Sequence, residues 1–209
     1  MKLLANNLCE LNKTKFRFLF VGLILLFFTQ TLGANTMIID DMKRSNSISE
    51  KKDYCEESTT RWCFVTDKVM GGVSEGDFKL KSDNNLFYYN MQGNVSTENN
   101  GGFIQFRTEV QNHPKSKLFD GIRIKVRGNN EEYAIHVRTK YLFLPWQYYE
   151  ATFQANGDWK IIDIPFKNFT KSNFYQPSSV SSIDIETIGI VAIGRNFKAD
   201  IDLAFIELY

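Results

Sequence analysis

Imidazole is scarce in this chain: His113 and His136 are the only two histidines in 209 residues. That removes most metal-centred and acid–base schemes, and there is no His-Glu-x-x-His zinc motif, no Cys-x-x-Cys and no phosphate-cradling Gly-x-x-x-x-Gly-Lys. No metal and no cofactor is expected. His113 precedes Pro114 in a polar turn and is expected at the surface. His136 lies in an alternating segment and reads as a hydrogen-bonded structural residue rather than a catalyst. A carboxylate pair for hydrolysis is set by spacing in the fold, which the sequence does not display. Asp67 and Glu150 are the pair to inspect, but nothing singles them out, and the expectation is a domain without catalysis.

Arginine and aromatic side chains supply the remaining chemistry. From Gly121 to Gly128, Ile122, Ile124 and Val126 fall on one face and Arg123, Lys125 and Arg127 on the other. The same alternation sets Tyr133, Ile135 and Val137 opposite Ala134, His136 and Arg138, and Ile104 and Phe106 opposite Phe103, Gln105 and Arg107. If these segments share a sheet, its outer face gathers Gln105, Arg107, Arg123, Lys125, Arg127, His136 and Arg138. Two readings stay open for such a face. It is either an ordinary solvated, charged sheet surface or a site for an anionic or polyhydroxyl partner, which guanidinium forks bind with defined geometry. Trp146 and Tyr148, in Pro145-Trp146-Gln147-Tyr148-Tyr149, are candidates for stacking on a sugar or anchoring a protein, with burial in the core as the alternative.

The elements that position these residues are strands. After Asp40 to Thr60, a polar stretch read as loop or tether, short alternating segments follow one another with turn signals such as Asp83-Asn84-Asn85, Asn99-Asn100-Gly101 and Asn156-Gly157-Asp158. Met37 to Ile39 suits a first strand. Ten more are expected at 62–66, 77–81, 86–93, 102–110, 121–127, 133–139, 148–153, 159–165, 187–194 and 200–209. No helical periodicity or internal repeat interrupts them. The pattern predicts an all-β, two-sheet sandwich or jelly roll spanning residues 37–209.

Composition sets outer bounds. Hydrophobic residues make up 43% of the chain, ample for a core, and 25 Lys and Arg balance 24 Asp and Glu. A net charge of +1 means that no global field draws the chain to nucleic acid or to anionic membranes, so no nucleic-acid partner is expected and any electrostatic partner must read a local patch. Residues 1–34 carry Lys2, Lys13, Lys15 and Arg17 before an uninterrupted apolar run from Phe18 to Phe28, followed by small residues. This is the layout of a secretory signal, or of an uncleaved anchor, and an exported or anchored domain is expected rather than a mitochondrial one. Cys9 would leave with a cleaved signal. Cys55 and Cys63 would remain, either as a disulfide or as two buried thiols. Asn94-Val95-Ser96 and Asn168-Phe169-Thr170 match the N-glycosylation acceptor pattern.

The stretch Trp62-Cys63-Phe64-Val65-Thr66-Asp67-Lys68-Val69-Met70-Gly71-Gly72-Val73-Ser74 resembles the Trp…Val-x-Asp-x-Val-Met-Gly-Gly-x-Ser signature of the complex I intermediate-associated protein 30 family. Collinear elements continue it: Asn99-Asn100-Gly101-Gly102-Phe103 with Arg107, Asp120-Gly121-Ile122 with Val126-Arg127-Gly128, then Trp159 to Phe166, and Ile188-Gly189-Ile190. The resemblance implies a galactose-binding-like jelly roll and a chaperone-like factor for assembly of respiratory NADH:ubiquinone oxidoreductase, with a protein partner and no known catalysis. It makes Trp62, Asp67, Met70, Gly71, Gly72, Ser74, Asn100, Gly101 and Gly102 the signature positions. The chain departs from the family's Gly-Asp-Gly at Gly128-Asn129-Asn130, and from its late Arg-Gly at Lys171 to Tyr175. An exported carbohydrate-binding module is the alternative function. Within the signature, Gly71-Gly72 is expected to make a turn closed to other residues, Trp62 to anchor the core and Asp67 to fix the turn.

Overall fold

The computed structural model describes residues 35–43 and 61–209. The expected signal or anchor, most of the polar tether and Cys55 lie outside the described residues. Cys63 is disulfide-bonded, with its partner also outside them.

Twelve strands form among the described residues: β1 (Met37–Asp40), β2 (Cys63–Thr66), β3 (Glu75–Asp83), β4 (Leu86–Val95), β5 (Phe103–Glu109), β6 (Gly121–Gly128), β7 (Glu131–Thr139), β8 (Tyr149–Ala155), β9 (Lys160–Pro165), β10 (Thr170–Lys171), β11 (Ile185–Ile193) and β12 (Phe197–Leu208). They build two antiparallel sheets. The first runs β3-β4-β12-β6-β9 with β1 also on β12, and the second runs β10-β8-β7-β11-β5-β2. Alternation sets the packing: Ile122 and Ile124 of β6, Ile104 and Phe106 of β5, and Ile135 of β7 point inward and are fully buried. Each contributes about 1.5–3 kcal/mol of transfer free energy. The chain is an all-β jelly-roll sandwich.

Trp62 closes one side of this core. Its ring meets Phe106 at 5.2 Å and Tyr89 at 5.9 Å, and its indole Nε1 donates to Asp40 Oδ2 at 2.8 Å, so an apolar body and a polar tip are both satisfied. Between β3 and β4, Asn84 and Asn85 both adopt positive φ, 48° and 65°, as a two-residue hairpin turn whose twist matches its strands requires.

The expected shared basic face is corrected by the topology. β6 belongs to the first sheet, whereas β5 and β7 belong to the second. Arg123, Lys125 and Arg127 therefore decorate the opposite outer surface from Gln105, Arg107, His136 and Arg138. A period of two tells which face a side chain takes but not which sheet its strand joins.

Strand direction defines two ends. β2 and β11 finish, and β5 and β7 begin, at the end that holds the connections 67–74, 96–102, 129–130 and 194–196. The connections 110–120, 140–148 and 172–184 lie at the other end, together with the start of β1 and the finish of β12.

Candidate functional site

The signature segment folds around one carboxylate. Asp67 opens a single 3-10 turn, Asp67–Met70, capped by the Thr66 side chain, and its own side chain is wholly buried. Oδ1 accepts from Ser74 N at 2.9 Å. Oδ2 accepts from Ser74 Oγ at 2.6 Å, from Gly102 N at 2.5 Å and from Phe103 N at 3.2 Å. Residues 67–74 carry the chain from the second sheet to the first, and residues 96–102 carry it back. Asp67 thus clasps the two sheet-crossing connections together. Burial pushes its pKa up, but the Ser74 hydroxyl and the Gly102, Ser74 and Phe103 amides outweigh burial and hold it below the ordinary 3.8.

The glycines serve this clasp for different reasons. Gly71 takes φ +92° as the left-handed cap of the turn, with nothing near a would-be Cβ. Gly72 is needed for space, since a Cβ there would fall 2.3 Å from Asp67 Cγ, and one at Gly101 would fall 2.4 Å from Oδ2. Gly102, at φ +129°, turns its amide into the carboxylate. Asn99 and Asn100 supply two further left-handed residues, φ 56° and 58°.

Gly72-Val73-Ser74-Glu75-Gly76 spells Gly-x-Ser-x-Gly, the letters of a hydrolase nucleophile turn, and the geometry withdraws that chemistry. Ser74 is wholly buried, donates to Asp67 and accepts from Ser96 N at 3.0 Å. It is followed by a strand rather than the helix such a turn requires. His136 lies on β7, three strands from β2, and His113 lies at the other end of the sandwich. Asp67 and Glu150 do not form a hydrolytic pair either. Asp67 follows β2 and Glu150 is on β8, four strands away. At about 4.8 Å per strand that separation is roughly 19 Å, far beyond the reach of paired carboxylates. Among the described residues no group of His, Cys, Asp and Glu is arranged to hold a metal.

The basic residues are spent on internal partners to differing degrees. Arg123 pairs with Asp163 at 2.6 Å and Glu207 at 3.0 Å, and the Asp163 hydrogen bond leads in raising its pKa. Arg127 pairs with Asp202 at 2.7 Å and lies 5.0 Å from the Tyr88 ring and 4.7 Å from Trp159. Burial works against its charge, and the Asp202 contacts more than offset it.

Across the second sheet the register sets Cys63, Arg107, Gly189, His136, Glu150 and Thr170 in one row. His136 Nε2 lies 2.8 Å from Glu150 Oε2, and its ring stacks on Tyr148 at 3.8 Å. That bond holds the Glu150 carboxyl below its ordinary value. Tyr149 points inward and is core, so only Tyr148 of the aromatic pair reaches the face. His113, expected at the surface, sits edge-on to Phe119 at 5.4 Å with both ring nitrogens buried.

Arg138 does work the sequence did not disclose. Its Nη1 donates to the carbonyls of Leu144 (2.8 Å), Pro145 (3.0 Å) and Gln147 (2.5 Å), and its Nη2 to Leu142 (3.0 Å). Burial, then the charge of Arg107, lowers its pKa, though a guanidinium stays protonated. One cation therefore shapes the loop that carries Trp146, while Arg127 is on the other sheet and takes no part.

Structural comparison supports the fold. The sandwich is similar to a family 11 carbohydrate-binding module from Clostridium thermocellum, solved with a β-1,3-1,4-mixed-linked tetrasaccharide, at TM-score 0.60 and 15% identity over 83% of this chain and 94% of that one. It is also similar to the family 11 module of the cellulosomal cellulase Lic26A-Cel5E of the same organism, at TM-score 0.57 and 17% identity over 78% of this chain and 95% of that one. No curated protein matches by sequence. The model of complex I intermediate-associated protein 30 matches residues 50–204, a span that contains the whole Asp67 clasp. The chain belongs to the complex I intermediate-associated protein 30 family.

Proposed function

We propose that this is a non-catalytic, assembly-factor-like module that holds a protein subunit of a membrane complex, a respiratory one by family, while that complex is built. One observation carries the reading: the signature spends its carboxylate and serine inward and presents apolar side chains outward. Asp67 and Ser74 are buried, whereas Met70 is 63% exposed, Val69 57% and Val73 38%. An exposed methionine between two valines, on a turn fixed by four hydrogen bonds, offers an adaptable contact on a preorganised base. Residues 1–34 would deliver the domain to the membrane as an export signal or anchor.

The test is co-purification of respiratory-complex subunits from membranes with the wild-type chain and with Val69→Asp/Met70→Asp. The expected result is loss of the recovered subunit in the variant at unchanged thermal stability. Equal recovery by both chains, or no recovery by the wild type, refutes the reading.

Carbohydrate binding is the second reading, favoured by the row of Arg107, His136 and Glu150 beside Tyr148 on the second sheet, and by the fold it shares with the modules above. A glycan array of the folded domain decides it: signal abolished by Tyr148→Ala supports the reading, and a blank array removes it.

A further inference from the structure

The end of the sandwich opposite the signature carries exposed apolar side chains that the proposed partner site does not use. Phe143 is 87% exposed, Trp146 62%, Phe174 73%, Tyr175 78% and Leu118 71%. They project from the connections 110–120, 140–148 and 172–184. An isolated exposed aromatic is ordinary, but several gathered at one end mark a binding surface.

Three observations identify the occupant. First, the tips of these connections are cationic: residues 110–119, 140–149 and 166–181 contain Lys115, Lys117, Lys140, Lys167 and Lys171 and no Asp or Glu, the acids Asp120 and Asp184 standing where the connections meet their strands. Lys140 is paired with Asp184 at 2.7 Å, while Lys115 and Lys117 stand exposed. Second, most of the carbonyls of the aromatic loop have partners within the fold. Arg138 takes the carbonyls of Leu142, Leu144, Pro145 and Gln147, and Gln147 Oε1 accepts from Leu144 N at 3.1 Å. Gln176 Nε2 then donates to Tyr148 O at 2.9 Å, tying in the neighbouring loop. A loop can leave water cheaply only when its carbonyls have such partners. Third, the chain joins the sandwich at this end, where Met37 pairs with Leu208, and the apolar run Phe18 to Phe28 precedes Met37 in the sequence.

Aromatic tips with a lysine fringe and paired backbone have the chemistry of a membrane interface, where aromatic rings settle at headgroup depth and lysines face anionic lipid. We propose that this end docks on an anionic phospholipid surface, with Phe143, Trp146, Phe174 and Tyr175 at the acyl boundary and Lys115 and Lys117 on the headgroups. The signature turn then faces away from the bilayer. This surface is independent of the partner site, so either can fail alone.

Trp146 supplies the assay, because Trp62 is buried in the core and Trp159 is half-buried against Arg127 on the first sheet. The full chain is mixed with vesicles of brominated phosphatidylcholine and phosphatidylserine in equal parts, and tryptophan quenching is read. The readout is local to the loops, so insertion through residues 1–34 alone does not mimic it. Quenching is expected in the wild type and absent in Trp146→Phe. Lys115→Gln/Lys117→Gln should lower the ratio of docked to undocked Trp146 about 25-fold, at about fivefold per lysine. Unquenched Trp146 in chain that sediments with the vesicles overturns the proposal. So does equal quenching in neutral vesicles, or lipid-free, concentration-dependent shielding of Trp146, which would mark a contact between copies of the chain. Near-UV circular dichroism of the Trp62 cluster confirms that each variant is folded.

Discussion

Replacing Asp67 with asparagine keeps the shape of the clasp and removes its charge. The carboxylate faces four donors within 2.5–3.2 Å, three of them on the buried residues Ser74 and Gly102 and the fourth on half-buried Phe103. Whichever way the amide is turned, its NH2 meets a backbone N–H: that of Ser74 in one orientation, those of Gly102 and Phe103 in the other. One or two buried donors are left unpaired at about 1–3 kcal/mol each, and the surviving bonds lose charge assistance worth about 1 kcal/mol each. The sum for the less costly orientation is about 3–6 kcal/mol, a large part of the roughly 5–15 kcal/mol that holds a domain folded. Urea unfolding at neutral pH should show it as a midpoint lowered by about 2 M, for a slope of about 2 kcal/mol/M. The pH dependence gives a second reading. Because the folded pKa of Asp67 is depressed, its contribution is fully present above the ordinary 3.8 and is lost as pH falls through the lower folded value. The gap between wild type and Asp67→Asn should therefore narrow below about pH 4. A loss under about 1 kcal/mol at neutral pH would refute the clasp as a structural charge.

Gly72→Ala should cost about 1–3 kcal/mol by overlap with Asp67, more than Gly71→Ala, whose strain is about 1 kcal/mol in open space; thermal melts that reverse this order count against the assigned roles. Arg138→Lys replaces a four-carbonyl fork with a point charge, so amides 140–147 should exchange hydrogen faster while the core amides of β11 keep their protection; unchanged exchange in the loop would show that Arg138 does not shape it. Trp62→Phe loses the Asp40 hydrogen bond and part of the ring packing, for about 2–4 kcal/mol by denaturant titration, and a cost under 1 kcal/mol would remove Trp62 as an anchor.

Strand positions were legible because alternation is a local property. The expected strand at 121–127 is Gly121–Gly128, and the one at 86–93 is Leu86–Val95. The two-residue β10 was invisible, since Thr170-Lys171 pairs only with Glu150 and Tyr149 and is too short to carry a period. Sheet membership is not legible either, because pairing joins residues far apart in the chain, and alternation alone puts Arg123 and Arg127 with Arg107 and Arg138. The role of Asp67 was legible as a turn-fixing acid. Its bonds to Gly102 and Phe103 were not, because they span the intervening hairpin. Arg138 was the hardest case: alternation sent it to the outer face correctly, and only the folded loop shows that the face there is a set of carbonyls.

The clasp also bears on the order and lifetime of folding. Ser74 is seven residues from Asp67, but Gly102 is 35 away, across the β3–β4 hairpin, so its bond closes a far longer loop and is expected to form late. A carboxylate bonded by groups that assemble last contributes little to the barrier for folding and much to the barrier for unfolding. Asp67→Asn should accordingly leave the folding arm of a chevron nearly in place and raise the unfolding arm. The signature that marks the family would then act as a kinetic latch, setting how long the domain stays folded.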